Sequence, residues 1–104
     1  MIPPVRPIAI EDIEAARTRI AGTVLRTPLV SFDERIYLKL ENLQPTNAYK
    51  IRGATNAVAR LPDEERAKGV WTISAGNAGQ GVAYAARQFG VPSAVVAIET
   101  APQT

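Results

Sequence analysis

The sequence predicts an α/β fold in which parallel strands alternate with helices. Two apolar stretches with strand character, residues 70–74 (VWTIS) and 94–98 (AVVAI), lie on either side of a helical stretch over residues 77–89. Strands separated by a helix form a βαβ unit, in which the two strands pair in parallel. Turn residues bound the helix, since Asn77 is suited to cap its start and a GVP run at residues 90–92 ends it.

An amphipathic helix is predicted near the N-terminus, after an irregular leader that holds three prolines in its first seven residues. Apolar residues recur at positions 10, 13, 16 and 20 with charged residues between them, and Gly22 marks the end of the helix. Residues 27–29 (TPL) follow as extended chain, because the residue before a proline avoids the α region.

The middle of the chain is predicted to contain a strand, a loop and two helices. Residues 36–40 (IYLKL) form the strand and residues 42–47 the loop. Asn47 is predicted to cap a helix that runs through Lys50 to about residue 61. A short helix with acidic residues in its first turn follows over residues 62–69.

Composition excludes several classes of function. The chain has 104 residues, of which 46% are hydrophobic and 21% charged, so we expect one ordered globular domain at most. It has no cysteine and no histidine, which removes disulfides, Ser-His-Asp triads and His- or Cys-based metal sites. The net charge is only +2 and no basic block is present, so we expect no nucleic-acid partner. The sequence also shows neither a secretory signal nor a membrane-spanning run, which predicts a cytoplasmic protein.

The C-terminal end of the sequence predicts that the chain is truncated. Residues 101–104 (APQT) are loop-like and come directly after the second predicted strand. An α/β sheet that ended there would have an uncovered edge. We therefore expect a fragment of a larger protein.

Residues 40–58 (LENLQPTNAYKIRGATNAV) are the strongest functional signal. They resemble the cofactor-lysine segment, Pro-Thr-Gly-Ser-Phe-Lys-x-Arg-Gly-Ala, of the fold-type II pyridoxal-phosphate (PLP) enzymes of the threonine/serine dehydratase and serine racemase family. The resemblance implies that Lys50 forms the Schiff base with PLP and then takes the substrate's α-proton, and that Tyr49 packs near the cofactor. Asn47 replaces the family's glycine, and asparagine tolerates the positive φ that a glycine position can require.

Residues 74–92 (SAGNAGQGVAYAARQFGVP) are the second signal. A strand ends, a glycine-bearing turn follows and a helix begins, so free backbone N–H groups converge on a site suited to an anion. On the residues alone, the three glycines are equally well explained as a tight turn with close packing. The segment also resembles the family's substrate loop, in which case Asn77 hydrogen-bonds the cofactor's ring hydroxyl and Ala78 stands in place of a histidine. The resemblance implies that the substrate carboxylate is held by Ser74, Gly76, Asn77 and Gln80.

The resemblance, which covers nearly the whole chain, implies a threonine/serine dehydratase. Such a lyase removes the α-proton and then the β-hydroxyl of a hydroxy amino acid, which leads to a 2-keto acid and ammonia. Racemases of the family commonly have a serine acting as the second acid/base where this chain has Ala75, so elimination is favoured. A serine racemase, another hydroxy-amino-acid eliminase and a non-catalytic truncated remnant stay open as alternatives.

The resemblance also implies an architecture. The family fold, that of the tryptophan synthase β-like enzymes, has two parallel-sheet α/β domains with the cofactor in the cleft between them, and its members are often homo-oligomers. In this chain, residues 1–34 would be the leader and its helix, and residues 35–104 part of the small domain with the PLP lysine. The family's phosphate-binding loop and its partner for the pyridine nitrogen would lie beyond this segment.

Overall fold

The chain begins with an extended leader and one helix. A computed structural model describes residues 1–102, so the last two residues of the 101–104 loop lie outside the described part. Helix α1 spans Ile10–Ile20, which confirms the predicted amphipathic helix. Gly22 follows with a φ of +84°, a left-handed conformation that costs a glycine little and turns the chain away from the helix axis.

A β-hairpin follows, and it was not predicted. Strands β1 (Leu29–Asp33) and β2 (Ile36–Lys39) pair antiparallel, with a bulge between Ser31 and Asp33. The two-residue connection is Glu-Arg, which lacks the glycine or asparagine that usually marks such a turn. The sequence therefore predicted the second strand but not its partner.

Two helices follow the hairpin. A short 3-10 turn at Glu41–Leu43 leads into a loop, and helix α2 then spans Lys50–Ala59. Helix α3 spans Asp63–Lys68, as predicted. Asn47 is not the cap of α2, because it lies three residues before the first helical residue and has a φ of +57°. The asparagine instead supplies the left-handed turn that a glycine would supply at this position.

The last part of the described chain is the predicted βαβ unit. Strand β3 (Val70–Ile73), helix α4 (Asn77–Gln88) and strand β4 (Ser93–Val96) follow in order. The two strands pair in parallel, from Val70 opposite Ser93 to Ile73 opposite Val96. This pairing confirms the predicted α/β class.

The core lies where α2 packs against α4. Its buried apolar residues form one cluster of Val58, Ala85, Ala86 and Val91 and a second cluster of Ile20, Val24 and Ile51. Thr55 of α2 is also fully buried, and its hydroxyl has no hydrogen-bond partner among the described residues. Small alanines on α4 allow the two helices to approach closely, so the helix that begins at Lys50 lies against the helix that follows the glycine-bearing turn.

The two faces of the β3–β4 sheet differ in burial. On the face toward α4, Val70 is partly buried and Val95 is 42% exposed, whereas Trp71, Ile73 and Val96 lie on the opposite face and are more exposed, Trp71 to 68%. The apolar run over residues 70–74 predicts a buried strand and Trp71 as a core residue, and both expectations are wrong for residues 1–102. The residues alternate between faces, and the described chain covers only one of them.

Membrane-spanning helices and clustered metal ligands are both absent from the described residues. No helix there is long and apolar enough to cross a membrane. No group of three or more histidine, cysteine, aspartate or glutamate side chains within residues 1–102 is arranged to hold a metal ion.

Candidate active site

Lys50 is the first residue of α2, and its side chain is exposed. Its Nζ atom lies 5.4 Å from the centre of the Tyr49 ring, within the range of a weak cation–π contact. Among the described residues, no carboxylate forms an ion pair with it. The amine is therefore accessible to a carbonyl compound from solvent.

The backbone of Lys50 is fixed by its neighbours. Ile51, the next residue, is fully buried in the cluster that joins α1 and α2. The amide of Arg52 donates to the carbonyl of Tyr49, which completes the first turn of the helix. As a result, the base of the lysine side chain is held while its tip remains in solvent.

A buried glutamine ties the segment before the lysine to the chain after α1. The side chain of Gln44 is 1% exposed and pairs with the backbone of Leu25 on both sides. The Leu25 amide donates to Gln44 Oε1 at 2.9 Å, and Gln44 Nε2 donates to the Leu25 carbonyl at 2.8 Å. Because both polar groups of the amide are satisfied, its burial stabilises this arrangement.

An ion pair between Glu41 and Arg52 continues this network. Arg52 donates through both Nε and a terminal nitrogen to the two carboxylate oxygens, and Thr27 Oγ1 donates to Glu41 Oε2 at 2.7 Å. The hydrogen bond from Arg52 is the main cause that holds the pKa of Glu41 at about 2, below its ordinary 4.5, although desolvation opposes the shift. Glu41 therefore stays ionised at neutral pH and holds α2 to the preceding loop.

Ser74 shapes the turn between β3 and α4. Its Oγ atom accepts hydrogen bonds from the amides of Gly76 at 3.1 Å and Gly79 at 2.9 Å. Asn77 is the first helical residue rather than the cap, the capping position is taken by Gly76, and no side chain at that position makes a capping bond. The prediction that Asn77 caps this helix is therefore wrong, since the hydroxyl of Ser74 satisfies an amide at the helix start from the end of the strand.

The start of α4 keeps backbone donors available. Within residues 1–102, the amides of Asn77 and Ala78 have no hydrogen-bond acceptor. Both belong to the first turn of a twelve-residue helix, where the helix dipole favours negative charge. The turn therefore has the donors that an anion such as a carboxylate requires.

A cavity of about 300 Å³ adjoins this turn. Ser74, Gly76 and Gln80 line it, so the structure brings together three of the four residues predicted to hold the substrate carboxylate. Asn77 and Lys50 do not line this cavity. Lys50 and the residues predicted to hold the carboxylate thus do not line one common pocket within the described part of the chain.

The sequence left open whether the glycines of this segment are needed for close packing or for ligand binding. For Gly79, the structure shows close packing. A Cβ atom on Gly79 would lie 2.9 Å from Val95 Cγ1 and 3.2 Å from Ser74 Cβ. Contacts that short do not occur without a shift of the neighbours. Gly79 therefore lets α4 lie directly on the sheet, and this placement also brings its amide to Ser74.

Comparison with known proteins gives the family. A family model described as pyridoxal-phosphate dependent enzyme matches residues 20–104, most of the chain. The chain belongs to this family. Its cofactor is accordingly pyridoxal phosphate.

Individual relatives agree with this assignment. An L-threonine ammonia-lyase of Thermotoga maritima is 46% identical over 102 residues, which cover 91% of this chain and 25% of the relative. A catabolic L-threonine dehydratase of Staphylococcus aureus is 42% identical over 103 residues, covering 91% and 30% respectively. The chain spans between a quarter and a third of the length of these relatives.

A solved structure shows the same fold. The structure of maize serine racemase superposes with a TM-score of 0.84 at 40% identity and covers 89% of this chain and 30% of that one. The predicted fold class, that of the fold-type II PLP enzymes, is thereby confirmed.

The residues present fit one end of the cofactor. An exposed primary amine without an acidic partner, next to an aromatic ring that is itself 62% exposed, suits attachment of an aromatic aldehyde. The glycine-rich phosphate loop and the partner of the pyridine nitrogen expected from the family have no candidate in residues 1–102. Among the described residues, Lys50 thus has the chemistry that attachment of PLP requires.

Proposed function

We propose that the protein containing this chain is a PLP-dependent lyase that converts threonine or serine to a 2-keto acid and ammonia, with Lys50 as the cofactor lysine. The observation that carries the proposal is the free, exposed amine of Lys50 at the start of α2, inside a segment that matches the cofactor-lysine run of the family. The threonine ammonia-lyase and dehydratase relatives support the choice of reaction.

Lys50 has two roles in this proposal. Its amine holds the cofactor, and after the substrate amine has displaced it, it accepts the proton from the substrate's α carbon. Pyridoxal phosphate, when bound, supplies an electron sink for the electron pair left at that carbon. Loss of the β-hydroxyl follows because the leaving group lies next to the deprotonated carbon. Tyr49 packs beside the amine and limits its orientations.

The turn at the start of α4 binds and orients the amino acid in this proposal. The unpaired amides of Asn77 and Ala78 donate to the substrate carboxylate, and the Asn77 side chain reaches the ring hydroxyl of the cofactor. The Ser74 hydroxyl donates to the carboxylate in this proposal. Its oxygen already accepts hydrogen bonds from two backbone amides, and its own hydrogen makes only a long contact of 3.4 Å with the Gly76 carbonyl. Gly76 and Gln80 complete the set by lining the adjoining cavity.

Racemisation is the second candidate reaction. The similarity to serine racemase favours it, whereas Ala75 opposes it, because a methyl group cannot donate a proton to the second face of the α carbon. Elimination needs only one proton acceptor at that carbon, and Lys50 supplies it. On this ground we place elimination first.

The proposal extends to the setting of the reaction. The substrate is a free amino acid, the protein acts in the cytoplasm, and it assembles as a homo-oligomer. The division into a leader with its helix (1–34) and part of a small domain (35–104) stays a prediction.

The decisive experiment uses the complete open reading frame that carries this sequence. The purified protein is mixed with PLP, reduced with borohydride and mapped by peptide mass spectrometry, and keto-acid formation from threonine and serine is assayed in parallel. We expect one modified residue, Lys50, and loss of both modification and activity in Lys50→Ala.

Lys68→Arg is the matched control, because Lys68 is exposed and pairs only with Glu65. It should keep modification and activity. Scattered labelling over many lysines, or unchanged activity in Lys50→Ala, would overturn the proposal. If the assay yields racemised substrate and no keto acid, the reaction is racemisation rather than elimination.

A further inference from the structure

Helix α4 touches the backbone of the lysine segment at one buried glycine. A Cβ atom on Gly81 would lie 3.3 Å from three atoms of α2, namely the carbonyl carbon and oxygen of Lys50 and the amide nitrogen of Ile51. All three are backbone atoms, so none of them can rotate out of the way. The two helices are therefore so close at Lys50 that a Cβ atom at position 81 would push the α2 backbone away by a few tenths of an ångström.

This requirement is specific to Gly81. Gly53, the glycine inside α2, has nothing within 4 Å of the place where its Cβ would be. Gly79 makes its close contacts with Ser74 and Val95, on the sheet side of α4. The two glycines of α4 thus pack against different elements. Gly79 allows the helix to pack on the sheet, and Gly81 allows it to pack on the lysine segment.

We propose that Gly81 is a positioning residue for Lys50. Without a side chain there, α4 holds its own first turn, with the unpaired amides of Asn77 and Ala78, at a fixed distance from the residue whose amine reacts. The inference rests on the proposed function, because it assigns a consequence to the placement of the cofactor lysine. It adds a residue that touches neither substrate nor cofactor.

An added methyl group at position 81 has to displace α2. Ile51 is fully buried next to the contact and Arg52 is tied to Glu41, so a shift of the start of α2 disturbs both of these contacts. A displacement of a few tenths of an ångström at the Lys50 backbone moves its amine relative to the carboxylate site. Since a misplacement of about 1 Å can cost about a hundredfold in rate, we expect Gly81→Ala to lower kcat about three- to tenfold.

The experiment compares Gly81→Ala with Gly53→Ala in the complete protein. Three quantities are measured: kcat and KM for elimination, the pH midpoint of the bound cofactor's absorbance, and amide hydrogen exchange over residues 49–54 without PLP. We expect Gly81→Ala to lower kcat more than it raises KM, to shift the pH midpoint and to speed exchange in the first turn of α2. Gly53→Ala should leave kcat and the pH midpoint near the wild-type values and should slow exchange in α2, because alanine has the higher helix propensity.

Several outcomes would overturn the inference. It fails if Gly81→Ala matches Gly53→Ala in kcat and pH midpoint while wild type is labelled at Lys50, a result that leaves the proposed function intact. It falls together with the proposed function if wild type itself is not labelled at Lys50. If Gly81→Ala does not fold, a crystal structure of the complete wild-type protein decides, because a gap between Gly81 and the Lys50 carbonyl wide enough for a Cβ atom contradicts the proposal.

Discussion

The surroundings of α2 and the outer face of the β3–β4 sheet, defined by Trp71, Ile73 and Val96, differ in how completely they are packed. Around α2, Ile51 and Gln44 are buried and the polar atoms of the glutamine are paired. On the outer face of the sheet, all three apolar side chains are exposed. The same short chain thus contains one closed region and one open region.

The difference shows which part of the candidate site this chain fixes by itself. Contacts within residues 1–102 hold the lysine helix from two sides, through the Glu41–Arg52 pair and through α4. A parallel sheet is normally covered on both faces, and here α4 covers only one of them. The position of Lys50 is therefore determined locally, whereas the sheet that leads into the turn at the start of α4 is covered on only one face by the described residues.

Truncation of Ile51 is expected to have the largest effect on the closed region. Ile51→Ala removes a fully buried side chain and leaves a cavity between α1 and α2, so we expect the free energy of unfolding to fall by about 3 kcal/mol. Urea denaturation of the chain, followed by circular dichroism, measures this change. Ile73→Ala on the outer face of the sheet is the matched control and should cost less than about 1 kcal/mol; equal losses would erase the contrast between the two regions.

Acidification tests the polar part of the closed region. The folded-state pKa of Glu41, at about 2, lies below its ordinary value of 4.5, so the stabilisation is complete above pH 4.5 and is lost as the pH falls toward 2. The full shift corresponds to about 3 kcal/mol as an upper limit, because each pKa unit is about 1.4 kcal/mol. Urea midpoints measured between pH 2 and pH 5 give the slope.

Glu41→Gln is the control for this pH dependence. It keeps the size of the side chain and one acceptor oxygen but removes the charge, so the variant should be less stable at pH 5 and less dependent on pH below it. If the stability of Glu41→Gln depends on pH as steeply as that of the wild type, other carboxylates cause the pH dependence.

The turn between the two regions should show an intermediate effect. Ser74→Ala removes the acceptor of the Gly76 and Gly79 amides, and we expect a loss of about 1 kcal/mol, typical of a helix-capping side chain. Ser93→Ala, at an exposed strand position, is the control and should change stability little. Urea midpoints of the two variants measure the difference, and a loss no larger than that of the control would show that the Ser74 hydroxyl is dispensable for the turn.

Trp71 should give the smallest change in stability. It is the single tryptophan of the chain and is mostly exposed, so we expect strong quenching of its fluorescence by iodide and a change of less than about 0.5 kcal/mol in Trp71→Thr. Shielded fluorescence in the isolated chain would show that another molecule, such as a second copy, covers the outer face of the sheet.

The sequence predicted the elements marked by turn residues and missed those set by distant contacts. The βαβ unit was predictable because glycine and proline bound its helix, and the lysine segment because six of its residues follow the family run. The hairpin was missed because Glu34 and Arg35 carry no turn signal. The burial of Gln44 could not be predicted, since its partner, Leu25, lies nineteen residues away in the chain.

The candidate site shows the same division. The segment from Ser74 to Gln80 was located by its pattern, but its capping arrangement depends on which hydroxyl reaches which amide in space. The role of Gly81 could not be found from the sequence either, because it depends on the separation of two helices. The roles assigned to the site residues remain predictions that the labelling and substitution experiments test.

The adjacency of Lys50 and Ile51 has a consequence for changing this protein's chemistry. The backbone at this point is anchored by the buried isoleucine, whereas the amine of Lys50 makes only one weak contact among the described residues, with Tyr49. Ile51 thus holds the backbone in place, and Lys50, the residue before it, carries the proposed reactive amine. A different side chain at position 50 should therefore cost little folding stability. The first turn of α2 is thus a position at which other functional groups can be introduced by substitution.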